Sequence, residues 1–303
     1  MAIVKKEFYY KVAGHLFWLT ASNRLDCFTH YDPFLVDSLS KNELFHLTIK
    51  TEKENIQIEE RGESEQIEPD RQIGYFDDDT AAIGVYARKN GGYLFCIALP
   101  GGERCCVMTT SADYKSADVC FEGDTRSHSF GLDNCLMLLY AFASASEQTL
   151  MMHTSVVKHK GIGYLFLGKS GTGKSTHSRL WLEHIEGCEL LNDDNPIVRI
   201  TDGKVMVYGS PWSGKTPCYK NESAAIGGFV RLQQKPENRI ELLSMAQAFA
   251  ALKPSCSTAP WDNMVHDGIC NTLITLLQQV NTYALGCLPN KEAALLCHQT
   301  IAR

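Results

Sequence analysis

Gly168-Lys169-Ser170-Gly171-Thr172-Gly173-Lys174-Ser175 is the stretch on which the fold of this chain turns. It fits G-x-x-x-x-G-K-[ST], a pattern whose glycines let backbone N–H groups close around phosphate oxygens. The apolar run Gly163-Tyr-Leu-Phe-Leu167 ahead of it reads as a strand. Behind it, Leu180, Trp181 and Ile185 fall at helical spacing and predict a helix from Lys174 to Ile185. A strand feeding such a loop into a helix sets the helix N-terminus against the phosphates, where unpaired amides and the dipole favour an anion. Gly168 through Ser175, with Thr176, are therefore the expected nucleotide-binding residues. Lys174 would reach the β- and γ-phosphates of ATP, and Ser175 would hold Mg²⁺.

A second match, Gly209-Ser-Pro-Trp-Ser-Gly214-Lys215-Thr216, also follows a short strand. Its flank differs: Pro217 comes at once, and Cys218 to Glu222 carries no apolar helical stripe. A wall facing substrate or phosphate, or a plain turn, fits better than an independent nucleotide loop. Between the two loops, Asn192-Asp193-Asp194-Asn195 closes the strand that follows the loop helix. In a sheet with phosphates bound at its strand ends, that is where carboxylates act on a metal or a proton. An acidic turn ahead of Pro196 is the competing explanation. His153 opens the strand before the loop.

Outward from this core the chain reads in two parts, residues 1–148 and 149–303. The first is β-rich: Glu7 to Leu19, Leu47 to Thr51, Ile56 to Glu59, Ala81 to Ala87, Tyr93 to Ala98 and Arg104 to Thr109 carry strand patterns. Asn90-Gly91 marks a hairpin, and Glu52 to Asp70 reads as an acidic loop or edge. A helix from Gly131 to about Glu147 ends this part, with Leu132, Leu136, Leu139 and Phe142 at helical spacing. The second part alternates strand, loop, helix and strand. Short strands follow at Ile197 to Ile200, Val205 to Tyr208, Gly228 to Leu232 and Arg239 to Leu243, then helices at Ser244 to Leu252, Asn263 to about Val280 and Lys291 to Ile301. The expected class is α+β or α/β, a β-rich N-terminal domain followed by a P-loop domain.

Composition narrows the rest. The chain has 303 residues, 44% hydrophobic and 21% charged, and a net charge of −6, so a disordered chain and a basic nucleic-acid binder are both disfavoured. No apolar run reaches the roughly 18 residues of a membrane span. Met1-Ala-Ile-Val-Lys-Lys6 does not resemble a signal peptide, so the cytoplasm is the expected location. The 12 cysteines lack C-x-x-C spacing and read as reduced, structural thiols.

His153, placed fifteen residues before Gly168, the loop itself and the Asp193-Asp194 strand end together resemble the HPr kinase/phosphorylase family, whose C-terminal domain is similar to the phosphoenolpyruvate carboxykinase nucleotide-binding core. The resemblance covers about residues 150–232 and, loosely, the helical end. It implies an ATP- and Mg²⁺-dependent kinase acting on a serine or other hydroxyl of a protein, peptide or small molecule. It also implies loop amides and Lys174 on the phosphates, Ser175 on Mg²⁺, Asp193 as base with Asp194 as metal partner or the reverse, and His153 beside them. Lys215 and Arg231 are candidates for charge on the transferring group. The family's tendency to form homo-oligomers comes with it as an expectation. The glycine-rich segment that HPr kinases carry after the Asp-Asp strand is absent, so the acceptor stays open. A simple ATP hydrolase and a nucleotide-sensing scaffold are the alternatives.

Overall fold

The computed structural model describes residues 6–21, 26–38, 42–50, 67–77, 81–89, 91–214 and 216–302. The expected strand at Ile56 to Glu59, most of the acidic stretch from Glu52, Asn90 of the hairpin and Lys215 lie outside the described residues. The protein is mixed α/β, with two large sheets and few helices. Among the described residues, no helix is long and apolar enough to cross a membrane. The chain divides into two compact units, residues 1–143 with 259–263, and residues 144–258 with 264–303.

The first unit strings its strands as β1 (Lys6–Val12), β2 (His15–Ala21), β3 (Leu35–Val36), β4 (Glu43–Ile49), β5 (Ile67–Asp77), β6 (Ala82–Arg88), β7 (Tyr93–Ala98), β8 (Arg104–Thr110) and β9 (Ser116–Phe121). They form one sheet in the order β3-β1-β2-β4-β9-β8-β7-β6-β5. Alternation along β2, β4 and β7 buries Phe17, Phe45 and Phe95, and the rings of Phe17 and Phe45 stack at 4.8 Å. Helix α1 (Thr125–Ala143) packs on β4, β7, β8 and β9 and buries Leu132, Leu136 and Leu139. It starts six residues before the apolar periodicity does, because the Asp124 carboxylate accepts the Ser127 N–H at 2.9 Å and caps a polar first turn. The segment Ala259–Asn263 belongs to this unit. Trp261 lies among Phe76, Tyr93, Phe95 and Phe142, and Asp262 accepts the hydroxyls of Tyr93 and Tyr114 at 3.0 and 3.1 Å.

The second unit contains β10 (Thr149–Met151), β11 (Thr154–His159), β12 (Ile162–Leu167), β13 (Cys188–Asp194), β14 (Ile197–Thr201), β15 (Lys204–Tyr208), β16 (Ser223–Gln234), β17 (Arg239–Leu242) and β18 (Thr282–Cys287). Its helices are α2 (Lys174–His184), α3 (Met245–Leu252), α4 (Asn263–Leu277) and α5 (Lys291–Ile301). The sheet order is β10-β14-β15-β16-β12-β11-β13, with β18 added beside the far half of β16. Phe166, Trp181, Val230, Leu285 and Cys297 are fully buried in one cluster under α2 and α5.

Register puts chemistry at one end of this sheet. Strand β11 runs antiparallel to both β12 and β13, pairing Thr154 with Leu167 and with Asp194. Parallel pairing sets Leu167 beside Arg231 and Gln234 beside Cys287. His153, Gly168, Asp193, Asp194 and Arg231 therefore share one edge, at the carboxyl ends of β12, β13 and β16.

Candidate functional site

The loop leaves β12 at Gly168 and enters α2 at Lys174. Gly171 and Gly173 sit at φ of 76° and 106°, backbone that side chains strongly disfavour. The Thr172 N–H and hydroxyl both donate to the Lys169 carbonyl, at 3.1 and 2.7 Å, and tighten the turn. No side chain caps α2 at Gly173, so the first-turn amides are left for another acceptor.

Two hydrogen-bonded groups meet at the start of α2. The Ser175 hydroxyl donates to Asp193 Oδ1 at 3.0 Å, and Asp193 is only 4% exposed. Lys174 Nζ lies 2.8 Å from His153 Nε2 and donates to the Gly168 carbonyl at 3.1 Å. His153 Nδ1 in turn lies 2.9 Å from Asp194 Oδ1. An ammonium only donates, so His153 Nε2 accepts and Nδ1–H points at Asp194, a chain running Lys174 to His153 to Asp194. Burial holds the Lys174 ammonium below its ordinary value, and the charges of Asp194 and Asp193 oppose that shift. Asp194 stands at φ 145°, a backbone value costly for a non-glycine residue.

The second glycine loop supports this pair from behind. Gly214 N–H donates to the Asp193 carbonyl, and Ser213 bridges to Asp194. A Cβ at Gly214 would stand 3.0 Å from Asp193 O and 3.1 Å from Asp194 Cβ, while one at Gly209 would stand 2.0 Å from Lys220 O. Close backbone packing explains both glycines. Buried Asn192 donates to Ser210 Oγ and the Trp212 carbonyl, and Ser210 donates to the Asn195 carbonyl, locking the loop against β13.

Two supports carry no motif. The Ser255 carbonyl accepts the His153 N–H at 2.7 Å and fixes the imidazole's starting point. Gln234 donates to the Gly171 carbonyl at 3.3 Å. Arg231 is exposed at the same sheet end. His177, one turn into α2, accepts from Trp181 Nε1 at 3.2 Å, and burial pushes its imidazole down to about 4. A cavity of about 580 Å³ adjoins the loop at Gly171 and Gly173 and runs along Thr176, Leu180, Leu232 and Leu288.

The donor set suits Mg²⁺, a hard ion that binds through one or two protein oxygens together with phosphates and waters. Ser175 and Asp193 supply such oxygens. Among the described residues no cluster of three or more His, Cys, Asp or Glu stands ready to hold a metal by itself.

No family model and no curated protein matches the chain. Among solved structures, the Hpr(Ser) kinase/phosphatase from Coxiella burnetii is a distant likeness, at 12% identity and a TM-score of 0.31 over 50% of this chain and 88% of its own.

Proposed function

We propose that this protein is an ATP-dependent phosphotransferase that moves the γ-phosphoryl group of ATP to a hydroxyl of a protein, peptide or small molecule. One observation carries the proposal: at a single sheet end, beside a glycine-rich helix N-terminus, Ser175 is bonded to one aspartate and the Lys174–His153 pair to the next.

The geometry favours one division of labour between the aspartates. Asp193, buried against Ser175, would hold Mg²⁺ with that hydroxyl. Bound Mg²⁺ supplies charge neutralisation on the transferring group. Asp194, a third exposed and paired with His153, is the proton acceptor. Loop amides and Lys174 bind the phosphates. As the acceptor oxygen bonds to the γ-phosphorus, the bond to the β–γ bridging oxygen breaks and ADP keeps its electron pair. The hydroxyl proton passes to Asp194 Oδ. His153 orients that carboxylate and is a positioning residue. Arg231, paired with Leu167 at the same strand end, is the candidate to meet charge on the transferring group. Most of the rate enhancement is then positioning and electrostatics.

The test is transfer from γ-labelled ATP into an extract of the source cells, comparing the intact protein with Asp194→Asn. Label on a macromolecule or small molecule that needs Asp194 supports a kinase and identifies its acceptor. Free phosphate as the sole product points to a hydrolase, and tight nucleotide binding without either product points to a sensor.

A further inference from the structure

The cavity beside the loop is continuous with the proposed phosphate cradle, since Gly171, Gly173 and Thr176 line both. A ligand with its phosphates on the loop amides would carry its organic part into that space. The size lies within the range of small-molecule sites, and the walls are largely apolar, with Leu180, Leu232 and Leu288 facing in.

The backbone hydrogen-bonding capacity of the wall made by residues 235–236 and 287–289 is largely spent. The Lys235 N–H donates to the Cys287 carbonyl, and the Leu288 N–H to Asn238 Oδ1. Pro236 and Pro289 have no N–H. The Leu288 carbonyl already accepts the Asn290 N–H. Gln234 Nε2 donates to the Gly171 carbonyl, which holds that amide toward the loop, and the Lys235 side chain is exposed. Discrimination between adenine and guanine needs polar groups matched to the base edge; apolar contact separates ligands by shape and area.

We propose that this cavity is the nucleoside subsite and that it grips a purine through apolar contact without reading its edge, so that ATP and GTP bind alike. This rests on the proposed role of the loop in holding the phosphates. A phosphate chain lacking a base loses the subsite, and a pyrimidine fills less of it.

Equilibrium binding of ATP, GTP, CTP and inorganic tripolyphosphate to the full chain with Mg²⁺ tests this, alongside Leu288→Glu and Lys174→Ala. Leu288 is 42% exposed, so the substitution spares the core. ATP and GTP should agree within about threefold, CTP should bind more weakly, and tripolyphosphate at least tenfold more weakly. Leu288→Glu should weaken ATP about tenfold and leave tripolyphosphate unchanged. Tripolyphosphate binding as tightly as ATP, or ATP affinity untouched by Leu288→Glu, overturns the subsite. A preference for one purine above about thirtyfold overturns its indifference to the edge. If Lys174→Ala weakens none of the four ligands, or none binds, the loop's role falls and the subsite with it.

Discussion

The chain from Lys174 through His153 to Asp194 is directional because an ammonium can only donate. Two adjacent aspartates thus face different partners, and their substitutions should fail differently. Asp194→Asn removes the proton acceptor and leaves the phosphate contacts. Transfer should fall by about 10²- to 10⁴-fold, with ATP affinity within a few-fold of the parent. Ser175→Ala and Asp193→Asn should instead raise the Mg²⁺ concentration needed for half-maximal rate, by roughly tenfold. Steady-state rates over a Mg²⁺ titration separate the cases, and the opposite pattern would exchange the two roles. The candidate residues were legible in the sequence because the glycine loop and the strand-end pair are local features. Their pairing was not legible. It follows from the register of β11 against β13, which sets Thr154 opposite Asp194 and so brings His153 alongside.

Helix α2 carries a titratable group in its buried face. His177 has an ordinary value of 6.5 and is held near 4 by burial. The unfolded chain therefore binds more protons than the folded one between those values, so stability should drop as pH falls from 6.5 to 4 and level off below. The full effect is about 3 kcal/mol. His177→Gln keeps an acceptor for Trp181 and removes the titration, so urea midpoints at pH 7.5, 5.5 and 4.5 should fall less steeply than in the parent. The second glycine loop permits a separate test. Gly214→Ala presses a methyl on the Asp193 carbonyl and on Asp194. A displacement of a few tenths of an ångström there should lower transfer at least tenfold while ATP binding persists. A glycine pattern alone could not separate this loop from Gly168–Ser175, because tight backbone packing and phosphate wrapping select the same residue. Other elements escaped for equally physical reasons. The turn joining β1 and β2 uses Ala13 and Gly14 at φ 49° and 84° where Asn-Gly is the usual signal, and Thr282–Cys287 mixes Thr, Ala and Gly among its apolar residues and so declares no strand.

At the scale of the molecule, the chain does not finish its first unit before starting its second. Ala259–Asn263 returns to the first unit more than a hundred residues after α1 ends. Nothing local announces this, since Ala-Pro-Trp-Asp-Asn reads as a loop and its partners are distant in sequence. Yet Gly74 leaves the space that Trp261 fills, for a Cβ there would stand 2.7 Å from the indole ring. The Asp262 carboxylate collects two tyrosine hydroxyls, and burial with that charge pushes the Tyr114 phenol well above its usual range. A fragment comprising residues 1–148 alone lacks the tryptophan and the acceptor, leaving an aromatic hollow lined by Phe76, Tyr93, Phe95 and Phe142. In the full chain, Trp261→Ala should cost about 3 kcal/mol or more by the usual penalty for emptying an aromatic site. Asp262→Asn should cost less, because an amide oxygen still accepts. The fragment should bind a hydrophobic dye and unfold with poor cooperativity, and a synthetic peptide spanning residues 256–265 should reduce the dye signal. A fragment that unfolds as sharply as the full chain, or a Trp261→Ala protein of unchanged stability, would show that the first unit is complete without the returning segment.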